Sequence, residues 1–290
     1  ISNVQINNNS AEDQGGGIYF LGASSVVKTL NIENSDIEEN TSTSSGAGIY
    51  IAKSPYGDEI PLAEISNTTV SNNTSGNDGG GVSLNEVNAT FDNCTVSENT
   101  ANSGGGMYLV SGDVTIQNCE IKDNYAQGDG GGIFEDTDAT TLKITGSTIS
   151  ANIAGSGGGG VGLQVGGTTT INRTAIFNNQ SGSWGGGVFA NNALVMSNSI
   201  VYGNSGGTGI SFHSDDNHRI VNTVISDNPT GNIMLDVYPQ QENEINFEYN
   251  NIENVYDGIL YSENNVGQVI MGEQNIDVDP MFVDTANGNY

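Results

Sequence analysis

"VTIQNCEIKDNYAQGDGGGIFED", Val114 to Asp136, is the stretch whose reading decides the fold. In its first half Val114, Ile116, Cys119 and Ile121 share one side of the chain, and the alternation of apolar and polar residues changes phase at Asn118. A period of two marks β-strands, and a phase change at an Asn marks a corner between two of them. Gly130, Gly131 and Gly132 then lead into a third short run, Ile133 to Glu135. A strand entered through three glycines can bend sharply and let another backbone come close. A phosphate-cradling loop would need a following helix and usually a basic residue, and this stretch has neither.

The same pattern recurs along the chain, as in "NNNSAEDQGGGIYF" from Asn7, "ENTANSGGGMYLVS" from Glu98 and "NNQSGSWGGGVFAN" from Asn178. Written as apolar-x-Asn-small-x-apolar-x-x-Asn, it fits Ile32/Asn34/Ile37/Asn40, Ile65/Asn67/Val70/Asn73, Phe91/Asn93/Val96/Asn99, Ile116/Asn118/Ile121/Asn124 and Met196/Asn198/Val201/Asn204. Gly146 and Arg173 replace the first Asn in two copies, and a last copy around Phe247 and Ile252 is degenerate. Copies about 22 to 33 residues apart are in the range of solenoid coils. Three short strands per turn, each stacked on its equivalent about 4.8 Å away, make an all-β, single-stranded right-handed parallel β-helix of about ten three-strand coils. The helix is expected over 1–265, with a closing segment of the same domain over 266–290.

Columns of equivalent residues test this reading, because parallel coils must stack like on like. The third-strand column Ile18, Ile49, Val82, Met107, Ile133, Val161, Val188, Ile210, Ile233 is wholly apolar. The column after the corner, Ser35, Thr68, Cys94, Cys119, Ser147, Thr174, Ser199, Thr223, is small. Cys94 and Cys119 sit in adjacent coils, close enough for a disulfide, but two inward thiols stacked in a small-residue column are the favoured reading. Asn tolerates the left-handed backbone of a sharp corner, and stacked amides can bond from coil to coil, so both Asn columns read as structural. Of the two, Asn118 at the tight corner is expected to matter more than Asn124, which begins a looser turn.

Composition bounds the partners. The chain has 290 residues, 41 of them Gly, with 6 Lys plus Arg against 34 Asp plus Glu, for a formal net charge of −28. Such a surface repels nucleic acid and anionic membranes and favours cations. No apolar run reaches the length of a membrane span. The chain begins inside a repeat, which leads to the expectation that it is part of a larger surface protein.

The Asn-Cys-x-Val/Ile-x-x-Asn and Gly-Gly-Gly-Ile/Met-Tyr/Phe coils resemble the repeats of bacterial right-handed β-helix proteins of the pectin-lyase-like superfamily, especially surface proteins and adhesins of the polymorphic outer-membrane type. "NIDVDPMFVDTANGNY", Asn275 to Tyr290, resembles the closing segment that precedes surface-anchoring regions in such proteins. The resemblance implies an extracellular or cell-surface location. It does not choose among lyases, hydrolases and adhesins, which share this fold.

Candidate sites come from the columns that break the pattern. The outward third-strand column carries Tyr19, Tyr50, Tyr108, Phe134 and Phe189, with Trp184 just before the same strand in its coil. Rings in a row on a parallel sheet can stack on sugar rings, so these six are the candidate glycan-binding residues. The polar alternative is "FHSDDNHR", Phe212 to Arg219, which holds His213, Asp215, Asp216 and His218 and suits metal or acid–base chemistry. His218 also falls on an inward column with Val114, Leu142 and Leu194. Glu135 interrupts an apolar inward column, and the cost of burying an unpaired carboxylate favours its swinging outward with Asp136 and Asp138. No cofactor is required. Ca²⁺ would be taken, if at all, by acidic loops such as those at Gly57 and Glu135, which lack the spacing of a known loop motif.

The resemblance implies, for lyases of this architecture, a Lys or Arg base beside bound Ca²⁺; few of the six basic residues could serve, and no polygalacturonase-like motif is present. The reading is therefore a secreted or cell-surface β-helix module, a non-catalytic adhesin or stalk that binds extracellular polysaccharide or host glycan along its third-strand face. The alternative is a polysaccharide lyase or glycoside hydrolase of the same fold.

Overall fold

The computed structural model describes residues 1–22, 26–136, 140–164, 166–214, 216–235, 244–252, 259–261, 268–271 and 274–276. These residues form four parallel sheets, three of ten strands and one of seven, in which each strand pairs with its equivalents in the coils before and after. The coil read from Val114 shows the plan: Gly112–Gln117, Glu120–Lys122, Tyr125–Ala126 and Ile133–Glu135 each belong to a different sheet. The strands before and after the Asn corner and the strand after the glycines are the three expected. Tyr125–Ala126 is a fourth, in what the sequence marks only as loop, because two residues are too short to show a period.

Register follows the predicted columns. Ile116 pairs with Phe91 and Ile144, and Ile133 with Met107 and Val161. Their side chains fill one continuous apolar core inside the coils. Past the expected boundary at 265, Gln268–Met271 still pairs in parallel with Glu244–Glu248. Residues 277–290 of the expected closing segment lie outside the described residues. Among the described residues no helix is long and apolar enough to cross a membrane.

The two Asn columns divide the work. The first holds the corner: Asn34, Asn67, Asn93, Asn118, Asn198 and Asn222 all have φ between 48° and 54°, and so does Arg173 at 49°, while Gly146 takes 59°. Asn reaches this left-handed region at less cost than most residues. The second column is a buried amide ladder. Asn124 Nδ2 donates to Asn152 Oδ1 at 2.9 Å and to the Val96 carbonyl at 2.9 Å, while Asn124 Oδ1 accepts from the backbone N–H and Nδ2 of Asn99, both at 3.0 Å. The same linkage runs through Asn40, Asn73, Asn99, Asn124, Asn152, Asn179 and Asn204. The expected order of importance is thus reversed: Asn118 is exposed and Asn124 is the buried rung.

The ladder explains why Asn and the glycine triplet repeat together. Gly130 makes the turn with a left-handed φ of 66°. A Cβ on Gly132 would meet the Asn152 amide at 3.1 Å, so the third glycine gives the ladder room. A Cβ on Gly131 would lie 2.5 Å from the Gly159 carbonyl oxygen and 2.6 Å from the Ile153 carbonyl carbon, both backbone atoms that cannot swing away. Gly131→Ala is therefore expected to destabilise by about 1–3 kcal/mol. Gly128→Ala in the same loop, where the nearest atoms are 3.2 and 3.3 Å away and φ is ordinary, should be close to neutral. Denaturant midpoints compare them, and equal losses would mean that the coils separate easily at Gly131.

Candidate functional site

In the sheet built from the strands after the glycines, such as Ile133–Glu135 (the third sheet, after the third expected strand), the outward column runs Tyr19, Tyr50, Ser83, Tyr108, Phe134, Gly162, Phe189, Ser211 in register from coil to coil. Its rings stand outside the central core, yet only Tyr19, at 53% exposure, and Trp184, at 42%, present broad faces to solvent. Tyr50, Phe134 and Phe189 are buried at 8%, 5% and 7%. This corrects the expectation of a continuous water-facing row. Phe134 leans over Gly162, where a Cβ would come within 2.9 Å of its Cδ2, and Phe189 lies against Gly157. Small residues in a column leave space that a neighbouring ring fills, so alternating large and small positions produce cover rather than a platform.

Three separate groups result. Tyr19 and Tyr50 stack with centroids 5.4 Å apart and planes 11° from parallel. They wall a cavity of 450 Å³ together with Leu21, Lys53, Asn85 and Glu86. Lys53 Nζ donates to Glu86 Oε2 at 2.9 Å, and burial raises the Tyr50 hydroxyl pKa against the opposing effect of its hydrogen bond with Asn85. Tyr108 and Phe134 form the second group, 5.9 Å apart, with the Tyr108 hydroxyl donating to Asp136. Burial, then the Asp136 hydrogen bond and charge, push the Tyr108 pKa far up; burial followed by the charge of Asp136 raises Asp78. In the third group Trp184 stacks on Phe189 at 6.1 Å, and His213 packs against both rings at 5.1 and 4.9 Å.

The polar stretch does not converge. His213 joins the aromatic group outside the coil, whereas His218 points into the core, paired in register with Ile245. Leu194 N–H donates to His218 Nδ1 at 3.3 Å, which fixes the proton on Nε2, facing Ser214 Oγ at 3.2 Å. Burial lowers its pKa from 6.5 to about 4, so the ring is neutral. It is a satisfied core residue. Asp216 is half-buried near Ser214, and Asp215 lies outside the described residues. Among the described residues no three His, Cys, Asp or Glu side chains gather to hold a metal ion.

Glu135 corrects the reading in the opposite sense. Its side chain does not swing out; it is fully buried between Leu109 and Leu163 in register, and Oε2 accepts a hydrogen bond of 2.9 Å from Asn192 Nδ2. Asn192 lies 57 residues on, and its amide also reaches Thr169 Oγ1 at 3.4 Å. A carboxylate that accepts an amide N–H can be buried at lower cost than an isolated one.

The pattern that describes a right handed beta helix region matches residues 1–155 and again 131–280. The chain belongs to the right-handed β-helix family. Among solved structures this β-helix is similar to pectate lyase Pel9A, over 89% of its own length and 77% of that chain, with 12% sequence identity and a TM-score of 0.43. No curated protein matches it in sequence.

Within the β-helix several further reactive groups are engaged. Cys94 and Cys119 are free, buried thiols of the small column. The Cys94 N–H points to Cys119 Sγ at 3.4 Å just as the Thr174 N–H points to Ser199 Oγ at 3.2 Å, so sulfur serves here as a hydroxyl does elsewhere in the column. Lys53, Lys122 and Arg219 form ion pairs with Glu86, Glu120 and Glu248. Hydrogen bonds to Glu86 and Glu120 raise the pKa of Lys53 and of Lys122, which does not suit either lysine to act as a general base.

Proposed function

We propose that this β-helix is a non-catalytic module of an extracellular or cell-surface protein that binds glycan at discrete aromatic sites beside its third sheet. The observation that carries the reading is the Tyr19–Tyr50 pair: an exposed ring, made rigid by stacking on a buried one, at the wall of a cavity that also offers hydrogen-bond donors and acceptors. Recognition sites combine an apolar body with a few placed polar groups in this way. The Trp184 group, with one exposed ring and His213 beside it, supports a second site of the same kind.

Affinity electrophoresis through gels containing single polysaccharides tests the reading. Tyr19→Ala and Trp184→Ala should each weaken retention about 2- to 12-fold, the equivalent of one ring stack, without changing the melting temperature. A parent protein that no polysaccharide retards would overturn it. A second reading, glycoside hydrolysis, draws on the carboxylates Asp78 and Asp136 beside Tyr108: burial and the charge of Asp136 raise Asp78, and such chemistry uses a pair of carboxyl groups. Release of reducing ends from any retained polysaccharide, abolished by Asp136→Asn, would favour it over simple binding.

A further inference from the structure

We infer that the Tyr19–Tyr50 cavity and its neighbour form one site for an uncharged saccharide, with the Lys53–Glu86 ion pair as its polar anchor; the inference rests on the glycan-binding reading and narrows it to a place and a ligand class. The first cavity measures 450 Å³ and the second, lined by Ile60, Asn88 and Asp113 among others, 380 Å³. Glu86 lines both. Each is within the range of about 300–1,000 Å³ that small-molecule sites occupy. Together they suit consecutive sugar units on either side of one carboxylate.

The polar groups are set for hydroxyls. Glu86 accepts, Lys53 donates, and Asn85, tied to the Tyr50 hydroxyl, can do both. Sugars with vicinal hydroxyls can bridge a paired cation and anion, donating to one and accepting from the other, without separating them. Tyr19 supplies the flat face on which the apolar side of a pyranose rests.

Charge selects against an acidic sugar. Among the described residues Lys53 is the one cation lining the two cavities, and it is already bound to Glu86. Asp58 acts on Lys53, Asp13 acts on Tyr50, and Asp113 lines the second cavity, so carboxylates outnumber the ammonium locally. The whole chain adds a net charge of −28. A uronate would have to displace Glu86 from Lys53 while entering a negative potential, whereas a neutral sugar meets neither cost.

Intact protein is run through gels containing neutral glucan, mannan, xylan or galactan, and through gels containing polygalacturonate or alginate, at about 0.15 M salt, where exposed charges still interact within about 8 Å. Retention is expected on at least one neutral polymer and on neither polyuronate. Glu86→Gln, which removes a charged acceptor, should weaken neutral retention about tenfold or more, and Tyr19→Ala several-fold, with melting temperatures unchanged. Retention by a polyuronate that strengthens in Glu86→Gln would overturn the inference. Neutral retention that survives both substitutions and is lost in Trp184→Ala would also overturn it, while leaving the glycan-binding reading in place. Retention by nothing overturns both.

Discussion

Asn124→Ala is expected to lower the unfolding free energy by about 3–5 kcal/mol, against about 1 kcal/mol for Asn118→Ala. Loss of the Asn124 amide removes the acceptor of the Asn99 N–H and Nδ2, and the donor to the Val96 carbonyl, all inside the coil stack. Each buried polar group left without a partner costs about 1–3 kcal/mol, and water has no route to replace the amide. Asn118 makes one exposed hydrogen bond, to Asp92 Oδ1 at 2.9 Å. Its other role is to hold φ at 53°, and Arg173 holds the equivalent position at 49°, so a side chain without special tolerance is accepted there. Urea midpoints of the two variants, measured with equal slopes, decide the matter. Equal losses, or a greater loss at Asn118, would mean that the ladder is not where the stability of the stack resides.

The second large effect is a pH dependence centred on His218. Its pKa is near 6.5 in an unfolded chain and is lowered to about 4 by burial in the fold. Above pH 6.5 the ring is neutral in both states, and its contribution to stability is complete. As pH falls from 6.5 to about 4, the unfolded state takes up a proton that the folded state refuses, so stability declines; below about 4 both states are protonated and the loss levels off. Each pKa unit is worth about 1.4 kcal/mol, which makes the full loss about 3 kcal/mol. The net charge of −28 gives the parent a background self-repulsion of its own, which a His218→Asn variant shares. The readout is therefore the difference between the parent and His218→Asn, whose amide can still accept from the Leu194 N–H. That difference should shrink by about 3 kcal/mol between pH 7 and pH 4. If it is the same at both, His218 carries a proton in the folded state and is not the neutral core residue described.

The coil and its register were legible in the sequence because parallel stacking forces equivalent positions to carry equivalent chemistry. Ile133 must resemble Met107 and Val161, since it touches both, and contact of this kind repeated from coil to coil produces a column of nine apolar residues at the third strands. Corner geometry was legible for the same reason: Asn, or Gly at 146, recurs where φ must be positive. The inward placement of His218 followed from its column as well.

What only the tertiary structure decided depends on residues that no column constrains. Which Asn forms the ladder turns on where each side chain points after the corner, and both columns look alike as letters. Glu135 stands at a strand end, where an acidic residue ordinarily leaves the core; its partner Asn192 is 57 residues away, and nothing in the spacing links them. Register alone puts the aromatic rings in line, whereas their exposure depends on small neighbours such as Gly162, over which a ring can lie. The cavities beside Glu86 are shaped by the connections between third and first strands, which vary in length from coil to coil. Stacking repeats the coil's strands and corners along the rod, but it places no such demand on these loops, so Lys53 and Glu86, which line the cavities from the loops, are positioned where the repeat no longer dictates the sequence.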